Sequence, residues 1–219
     1  RFYSSPSYLL YSQMLTANHH RFIYPFFQYY TEYQLKRRFH SVQIIGDFED
    51  RGLPVLLIAN HIGWWDGFWA MHLMLKVLHR KFYFMMQEDQ LLKYRFFNQT
   101  GAFSVRKSSR EALQSLSYAS SLLEDSSNMV LIYPQGQLHS LYNSDFHFQR
   151  GLGRLIEGRE GKLHLILSAN MIDYGEFPRP SLSTYIEEYQ GAMKLEVLEE
   201  GYNVFYRSCL SKQINRMQI

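Results

Sequence analysis

Cysteine is almost missing from this sequence, which has Cys209 alone among its 219 residues. A single cysteine excludes a disulfide within the chain and favours a protein of a reducing compartment. Long apolar runs are missing too: the longest, such as residues 55–59, have the length of a strand and fall far below the ~18 residues of a membrane span. The sequence therefore predicts no transmembrane helix, and its length fits one large domain with a sizeable core.

Charge of one sign is also scarce. The 23 basic and 20 acidic residues leave a formal net charge of +3, which is too weak to indicate nucleic-acid binding, and no nucleic-acid motif accompanies it. Zinc-type ligand spacing is missing as well, so neither His19 with His20 nor His139 with His147 is expected to hold a metal. We predict no metal, no cofactor and no nucleic-acid partner.

Aromatic residues, by contrast, make up 16% of the chain. Twelve of them fall within residues 1–40, where five basic residues accompany a single acid, Glu32. Rings and cations of this kind suit the headgroup layer of a bilayer. An aromatic helical hairpin packed on the domain is an alternative that is compatible with this role. We predict two helices over 6–39 with a break at Pro25, as a membrane-docking segment over 1–40 that holds a peripheral protein at the cytoplasmic face of a membrane.

Residues 41–219 are predicted to form one α/β domain, because strand-length apolar runs alternate with helix-length segments. Strands are expected at 41–45, 54–59, 81–86, 102–105, 129–133, 163–169 and 183–188, and helices at 66–78, 90–98, 108–123, 150–157 and after 195. The expected fold class is α/β, with a mostly parallel sheet flanked by helices. In such sheets, sites lie at the carboxyl ends of the strands, so the loops that follow the strands hold the candidate functional residues.

The first of these loops follows strand 54–59 and contains Asn60, His61, Gly63 and Asp66. A histidine can take a proton from an attacking hydroxyl, and a carboxylate that holds its other ring nitrogen fixes its tautomer. Asp66, five residues after His61, does this if the turn folds back. The alternative is a helix N-cap at Asp66 beside an ordinary loop histidine.

Two later loops hold further candidates for substrate binding. One contains Gly101, Phe103 and Arg106, where the glycine lets the backbone approach a ligand and the guanidinium suits phosphate. The other contains Gln135 and Gly136 in a tight loop that can turn backbone N–H groups toward a ligand. Taken singly, each loop is also consistent with an ordinary turn.

In this order, the three loops resemble the lysophospholipid acyltransferase family, the 1-acyl-sn-glycerol-3-phosphate acyltransferase-like enzymes. The first loop matches the family's Asn-His-x-x-x-x-Asp block at residues 60–66. The second matches Gly-x-x-Phe-x-x-Arg at 101–106, with the phenylalanine one position early. The third corresponds to Phe-Pro-Glu-Gly-Thr-Arg at 133–138, and the whole resemblance covers about residues 40–175.

The resemblance implies a glycerol-phosphate acyltransferase-like fold and an acyl transfer in which His61 is the general base and Asp66 orients it. The implied donor is acyl-CoA or an acyl carrier protein, and the implied acceptor is a hydroxyl of a lyso-lipid or related lipid. Backbone N–H groups near Gly63 or Gly136 are expected to stabilise the oxyanion. The residues expected to bind substrates are Asn60, Gly63, Gly101, Phe103, Arg106, Gln135 and Gly136.

The third block departs from the family at Gln135, Gln137 and Leu138, which replace glutamate, threonine and arginine. The fourth block, at residues 165–170, lacks the usual proline. These departures favour an acceptor other than the family's usual lysophosphatidic acid. They also leave two alternatives open: a catalytically impaired lipid-binding protein on the same fold, and an N-acyltransferase for an amine lipid.

Overall fold

Strands and helices alternate along the chain in the computed structural model, which describes residues 14–106 and 109–217, with the backbone alone at 109–111 and 217. The strands are β1 (Ser41–Ile45), β2 (Val55–Ala59), β3 (Lys81–Gln87), β4 (Ala102–Val105), β5 (Asn128–Ile132), β6 (His164–Asp173) and β7 (Ser181–Glu188). The α-helices are α1 (Ile23–Arg38), α2 (Asp66–Leu73), α3 (Glu88–Lys93), α4 (Ser109–Leu122), α5 (Gly153–Ile156) and α6 (Leu195–Met217). A π-helical turn (Met74–Leu78) extends α2, and 3-10 turns lie at Arg95–Thr100 and Arg150–Leu152.

The strands form one sheet in the order β1-β7-β6-β2-β5-β3-β4. Five neighbours, β6, β2, β5, β3 and β4, run parallel, while β7 is antiparallel to β6 and parallel to β1. The predicted fold class, α/β with a mostly parallel sheet flanked by helices, is therefore confirmed. Because the five parallel strands share one direction, the loops that follow them meet at one edge of the sheet, called here the carboxyl edge.

Strand β2 lies in the middle of the sheet and is buried on both faces, which explains its unbroken apolar sequence. Leu56 and Ile58 face a core that includes residues of α4, α5 and α6. Leu57 and Ala59 face a second core that includes residues of α1 and α2. Alternate residues of a strand point to opposite faces, so one layer of helices covers each face of the sheet.

The N-terminal part differs from the predicted pair of helices. α1 is one continuous helix, and Pro25 lies in its first turn, where a backbone N–H is not needed, so the predicted break is absent there. Residues 14–20 are not helical. They run beside β4, where Ser104 N–H donates to the Leu15 carbonyl at 2.9 Å and Leu15 N–H donates to Ser104 Oγ at 2.8 Å. The start of the predicted first helix lies outside the described residues.

Helix α1 has one side in the core and one aromatic side in solvent. Phe27 and Leu35 are buried in the core that α1 shares with α2. The exposed aromatic residues are spaced four, three and four apart, so they form one stripe along the helix. These residues are Phe22, Phe26, Tyr29 and Tyr33. The N-terminal aromatic cluster is therefore present, and it is partly a surface feature.

Helix α6 covers the core on the face of the sheet opposite to α1. Tyr202 donates its hydroxyl to the Ser168 carbonyl in β6 at 2.9 Å. Asn203 holds both backbone groups of Phe146, accepting from its N–H at 2.8 Å and donating to its carbonyl at 3.0 Å. The single cysteine, Cys209, is buried on the same helix. Polar contacts thus fix a helix whose apolar residues fill the core.

Candidate active site

Two neighbouring strands bring the first and third loops together at the carboxyl edge. β2 and β5 remain paired up to Ile58 and Ile132, so the loops that begin at Asn60 and Tyr133 leave the sheet side by side. A backbone hydrogen bond of 2.8 Å from the N–H of His139 to the carbonyl of His61 joins the two loops further on. Residues far apart in the sequence therefore form one site.

His61 and Asp66 form a hydrogen-bonded pair in this site. Nδ1 of His61 lies 2.6 Å from Oδ2 of Asp66, and a carboxylate accepts hydrogen bonds, so Nδ1 carries the proton. Nε2 then has a free lone pair and can take a proton from a substrate. The His61 side chain is 29% exposed whereas that of Asp66 is 1% exposed, so a substrate can reach the imidazole while the carboxylate stays shielded from water.

The backbone of the same loop holds Asp66 in place. Its Oδ2 also accepts hydrogen bonds from the N–H groups of Ile62 at 2.7 Å and Gly63 at 3.0 Å. Helix α2 begins at Asp66 with Trp65 as its N-cap, so Asp66 is not the N-cap residue of the alternative interpretation. Since the N–H of Gly63 is bound to Asp66, this group is not the free oxyanion donor that the sequence suggested.

Tyr133 completes the surroundings of His61, although it was not among the predicted site residues. Its ring stacks on the imidazole with the ring centroids 4.2 Å apart and an interplanar angle of 13°. The phenol hydroxyl is buried and has no hydrogen-bond partner among the described residues. Burial and the nearby charge of Asp66 raise the pKa of Tyr133 well above its usual value, so the phenol stays protonated. Its signal in the sequence was its place at the start of the third block, where it stands at the position of the family's phenylalanine.

Gln135 and Gly136 form the turn that follows Tyr133. The Gln135 side chain is buried, and neither of its amide atoms has a partner within the part of the chain that the structure describes. Gly136 has a φ of +70°, which favours glycine, and its N–H donates to the Tyr133 carbonyl at 3.1 Å. The N–H of Gly136 is therefore occupied, whereas the buried Gln135 amide has hydrogen-bonding groups that no described residue uses.

Arg106 reaches the carboxyl edge but is held by an acidic residue. It forms a bidentate ion pair with Glu88, in which Nη2 lies 2.6 Å from Oε1 and Nε donates to Oε2. Glu88 follows β3 and Arg106 follows the neighbouring β4. Strand β4 is three strands from β2, or about 14 Å at the usual spacing of strands. A phosphate bound by Arg106, as predicted, has to compete with Glu88.

Asn60 ties two strands together beside His61. Its Nδ2 donates to the Asn170 carbonyl at 3.0 Å, and its Oδ1 accepts from the Asn170 N–H at 2.8 Å. Both functions of the amide are thus used between the residue that follows β2 and a residue within β6. The structure gives Asn60 the role of fixing the start of the His61 loop, in place of the predicted contact with substrate.

The structure does not bring Gly101 and Phe103 to the site. Gly101 precedes β4, at the end of the strand opposite to the carboxyl edge, and has a φ of +111°. A Cβ there would lie 2.1 Å from the Phe82 carbonyl oxygen, so this glycine is required by close backbone packing. Phe103 is fully buried and packs edge-on against Tyr118. Both residues therefore shape the strand that leads to Arg106.

A family model described as an acyltransferase matches residues 36–174, which is more than half of the chain. The chain belongs to the acyltransferase family. The match includes all the loops of the site described above. The predicted membership among the 1-acyl-sn-glycerol-3-phosphate acyltransferase-like proteins is confirmed, and it supports a general acyltransferase activity. Comparison with curated proteins gave no match.

The described residues of this acyltransferase were also compared with the requirements of a metal site and of a membrane-spanning helix. Across residues 14–106 and 109–217, no cluster of three or more histidine, cysteine or acidic side chains is placed to bind a metal ion. In the same residues, none of the helices has the length and apolar character needed to cross a bilayer.

The departures of this acyltransferase from the family's third block lie on both sides of the turn. Gln135 points inward and is buried, whereas Leu138 is 60% exposed. Gln137 is also exposed, and its Nε2 lies 3.4 Å from Nε2 of His139. The loop that in the family offers an acid and an arginine therefore presents a neutral amide and an apolar side chain.

Proposed function

We propose that the protein moves a fatty acyl group from a thioester donor to a hydroxyl of a lyso-lipid or related lipid. Acyl-CoA and an acyl carrier protein both present this thioester, and either fits the proposal. The observation that carries it is the 2.6 Å contact between Nδ1 of His61 and Asp66, which leaves Nε2 able to act as a base. Membership of the acyltransferase family supplies the general reaction.

In the proposed reaction, Nε2 of His61 takes the proton of the acceptor hydroxyl while the hydroxyl oxygen bonds to the thioester carbonyl carbon. The tetrahedral intermediate then collapses with cleavage of the C–S bond, and the departing thiolate takes the proton from Nε2. Asp66 stabilises the imidazolium between these two steps, because its carboxylate faces Nδ1. The products are an ester and a free thiol, and His61 returns to its starting protonation state.

The experiment measures free-thiol release from acyl-CoA in the presence of lyso-lipids. We expect His61→Ala to lower kcat by about 10²–10⁴-fold, the range typical of a lost general base. Asp66→Asn should lose most activity as well, because an amide N–H facing Nδ1 would move the imidazole proton to Nε2. His147→Ala, at a histidine side chain that is 85% exposed, is the matched control and should retain activity.

Near-normal turnover in folded His61→Ala protein contradicts the mechanism. No thiol release by the wild type with any hydroxyl acceptor, while lipid still copurifies, indicates the alternative of a catalytically impaired lipid-binding protein. Turnover with amine lipids alone indicates an N-acyltransferase. Gln135 and Leu138 motivate the first alternative, and the intact pair of His61 with Asp66 opposes it.

The acceptor in this proposal has a neutral or zwitterionic head. A glutamine side chain both donates and accepts hydrogen bonds, whereas a glutamate only accepts, and the amide of Gln135 is buried without a partner among the described residues. Leu138 brings no positive charge to the loop, so a phosphomonoester would be desolvated with fewer cations to meet it. A hydroxyl on a less charged lipid fits the site better.

We also propose that α1 docks the protein on a membrane surface. Its exposed stripe of Phe22, Phe26, Tyr29 and Tyr33 suits the headgroup layer, where aromatic rings are favoured. The last turn of the helix adds Lys36, Arg37 and Arg38, which attract anionic lipid. A peripheral position at the cytoplasmic face of a membrane follows from this proposal, and it places the enzyme where its lipid acceptor is found.

A further inference from the structure

Trp64 is an exposed tryptophan inside the loop that holds His61 and Asp66. It is 64% exposed, whereas Trp69 on the following helix is 2% exposed. Tryptophan is enriched at interfaces and in the interfacial belts of membranes, where one end of the ring is apolar and the other stays wet. The position of Trp64, three residues from the base, makes its partner relevant to the reaction.

Ring contacts connect Trp64 with helix α1. Its ring centroid lies 6.2 Å from that of Tyr94, and Tyr94 lies 6.4 Å from Phe97. Phe97 lies 4.1 Å from Phe96, and both phenylalanines contact Phe27 of α1. Together with their neighbours Leu92, Lys93 and Arg95, these residues form what is called here the aromatic band, which extends from Phe27, on the buried side of α1, to the His61 loop.

The exposed surface of the aromatic band is both apolar and basic. Leu92 is 45% and Phe96 is 44% exposed. Between them lie Lys93 and Arg95, which are exposed and have no ion pair within the described residues. The Nζ of Lys93 lies 5.2 Å from the ring centroid of Tyr94. Apolar side chains mixed with unpaired cations complement an anionic lipid surface, which offers acyl chains and negative headgroups together.

We propose that the aromatic band is a membrane-contact surface and that Trp64 enters the headgroup layer of an anionic bilayer. The loop of the catalytic base is then itself in contact with lipid, and a lipid acceptor reaches His61 from the bilayer without crossing water. This inference rests on the proposed function, since it names the surface that supplies the acceptor. The aromatic band adds a second contact with the bilayer to the one made by α1. This second contact is made by α3, the turn that follows α3 and the His61 loop.

The test uses quenching of tryptophan fluorescence by vesicles of phosphatidylcholine and phosphatidylglycerol whose acyl chains are brominated near the headgroups. Bromine quenches an indole only at close range, so the emission of Trp64 should fall on binding. We expect the larger part of the quenching to disappear in Trp64→Phe. Trp69 is buried in the core, and the ring of the partly buried Trp65 packs against Phe39 and Phe68. Equal quenching in the wild type and in Trp64→Phe, with both bound to vesicles, overturns the proposal.

A pair of double variants tests the rest of the aromatic band. Leu92→Ser with Phe96→Ser should weaken vesicle binding by about tenfold, since each partly exposed side chain loses part of its burial in lipid. Val197→Ser with Val204→Ser removes two side chains of similar exposure, 45% and 55%, from α6 on the other face of the sheet and should leave binding unchanged. Equal binding by the two double variants contradicts the proposal.

The outcomes separate this inference from the proposed reaction. Thiol release that depends on His61, without quenching of Trp64, rejects the membrane contact and leaves the catalytic proposal intact. Quenching of Trp64 without thiol release supports the contact and rejects the reaction. Self-association of the protein through the aromatic band in solution, lost in the Leu92 and Phe96 double variant and accompanied by no quenching, assigns this surface to a second copy of the chain and overturns the proposal.

Discussion

One aromatic ring sets the plane of His61, the proposed base. Asp66 holds a single atom of His61, and rotation about that hydrogen bond would still move Nε2. The stacked ring of Tyr133 restricts this rotation, because the two rings are nearly parallel at 13°. A carboxylate and a ring together therefore fix both the tautomer and the orientation of the imidazole.

Substitutions at Tyr133 separate its ring from its hydroxyl. Tyr133→Phe keeps the stack and removes a buried hydroxyl without a partner among the described residues, so we expect retained kcat and an unfolding free energy that is unchanged or raised by about 1 kcal/mol. Tyr133→Leu removes the ring and should lower kcat by about ten- to a hundredfold. Steady-state kinetics and urea unfolding of both variants give the two quantities.

Similar kcat values for folded Tyr133→Leu and Tyr133→Phe would assign the ring to packing alone. A loss of kcat in Tyr133→Phe would instead show that the hydroxyl takes part in the reaction. The comparison uses kcat, since loss of packing that leaves the site intact would alter stability without altering the rate at saturation.

Leu138 permits a direct test of acceptor choice. Restoring the family's arginine with Leu138→Arg offers a charge-assisted contact worth about 1.5–3 kcal/mol, so kcat/KM for lysophosphatidic acid should rise by roughly ten- to a hundredfold. Leu141→Arg adds the same charge at a residue of the same loop that is 44% exposed and serves as the control. If the wild type already prefers lysophosphatidic acid and Leu138→Arg brings no gain, the proposed acceptor class is wrong.

Among the elements, α6 depends on a polar clamp as well as on apolar packing. The side chain of Asn203 satisfies both backbone groups of Phe146, in the segment that returns from the third loop of the site. Buried backbone groups that lose their partner are costly. The clamp therefore couples the docking of α6 to the course of the loop.

Removing this clamp should destabilise the fold. Asn203→Leu leaves the N–H and carbonyl of Phe146 buried without partners, and we expect the free energy of unfolding to fall by about 2–4 kcal/mol. Val204→Ala, at the exposed neighbour, should change it by less than about 0.5 kcal/mol. Urea denaturation measures both, and a similar small effect in the two variants would show that other contacts hold α6.

At the scale of the whole molecule, α1 both packs in the core and presents the exposed aromatic stripe. Because Phe27 and Leu35 are buried, deleting the N-terminal segment would damage the fold, and point variants are the sharper test of docking. Phe26→Ser with Tyr29→Ser should weaken binding to vesicles of phosphatidylcholine and phosphatidylglycerol, and added salt should weaken the wild type, since the basic part is screened. Cosedimentation that responds neither to the double variant nor to salt contradicts docking by α1.

Much of this fold could be predicted from sequence because its central strands are unusually clear. Residues 55–59 are apolar without interruption and lie in a strand buried on both faces, so pattern and structure agree. The pairing of His61 with Asp66 could be predicted too, because five residues of separation fall within one turn. Local pattern and short-range geometry were therefore enough to predict that these two side chains pair.

The remaining parts of the site depend on which strands are neighbours. Tyr133 meets His61 because β5 lies beside β2, and Glu88 meets Arg106 because β4 lies beside β3. Strand order is set by long-range packing and leaves no local trace in the sequence. The break expected at Pro25 was wrong for a different reason: the rule that proline interrupts helices does not apply in the first turn.

The burial of Cys209 has a practical consequence for measuring the reaction. Burial raises the pKa of this thiol to about 12, so at pH 8 only on the order of one molecule in ten thousand holds it as the reactive thiolate. Disulfide reagents that change colour with free thiols will therefore detect the thiol that the proposed reaction releases from acyl-CoA, and will not react measurably with the folded protein. A slow colour change without substrate then reports exposure of Cys209, and its rate measures how often α6 opens away from the sheet.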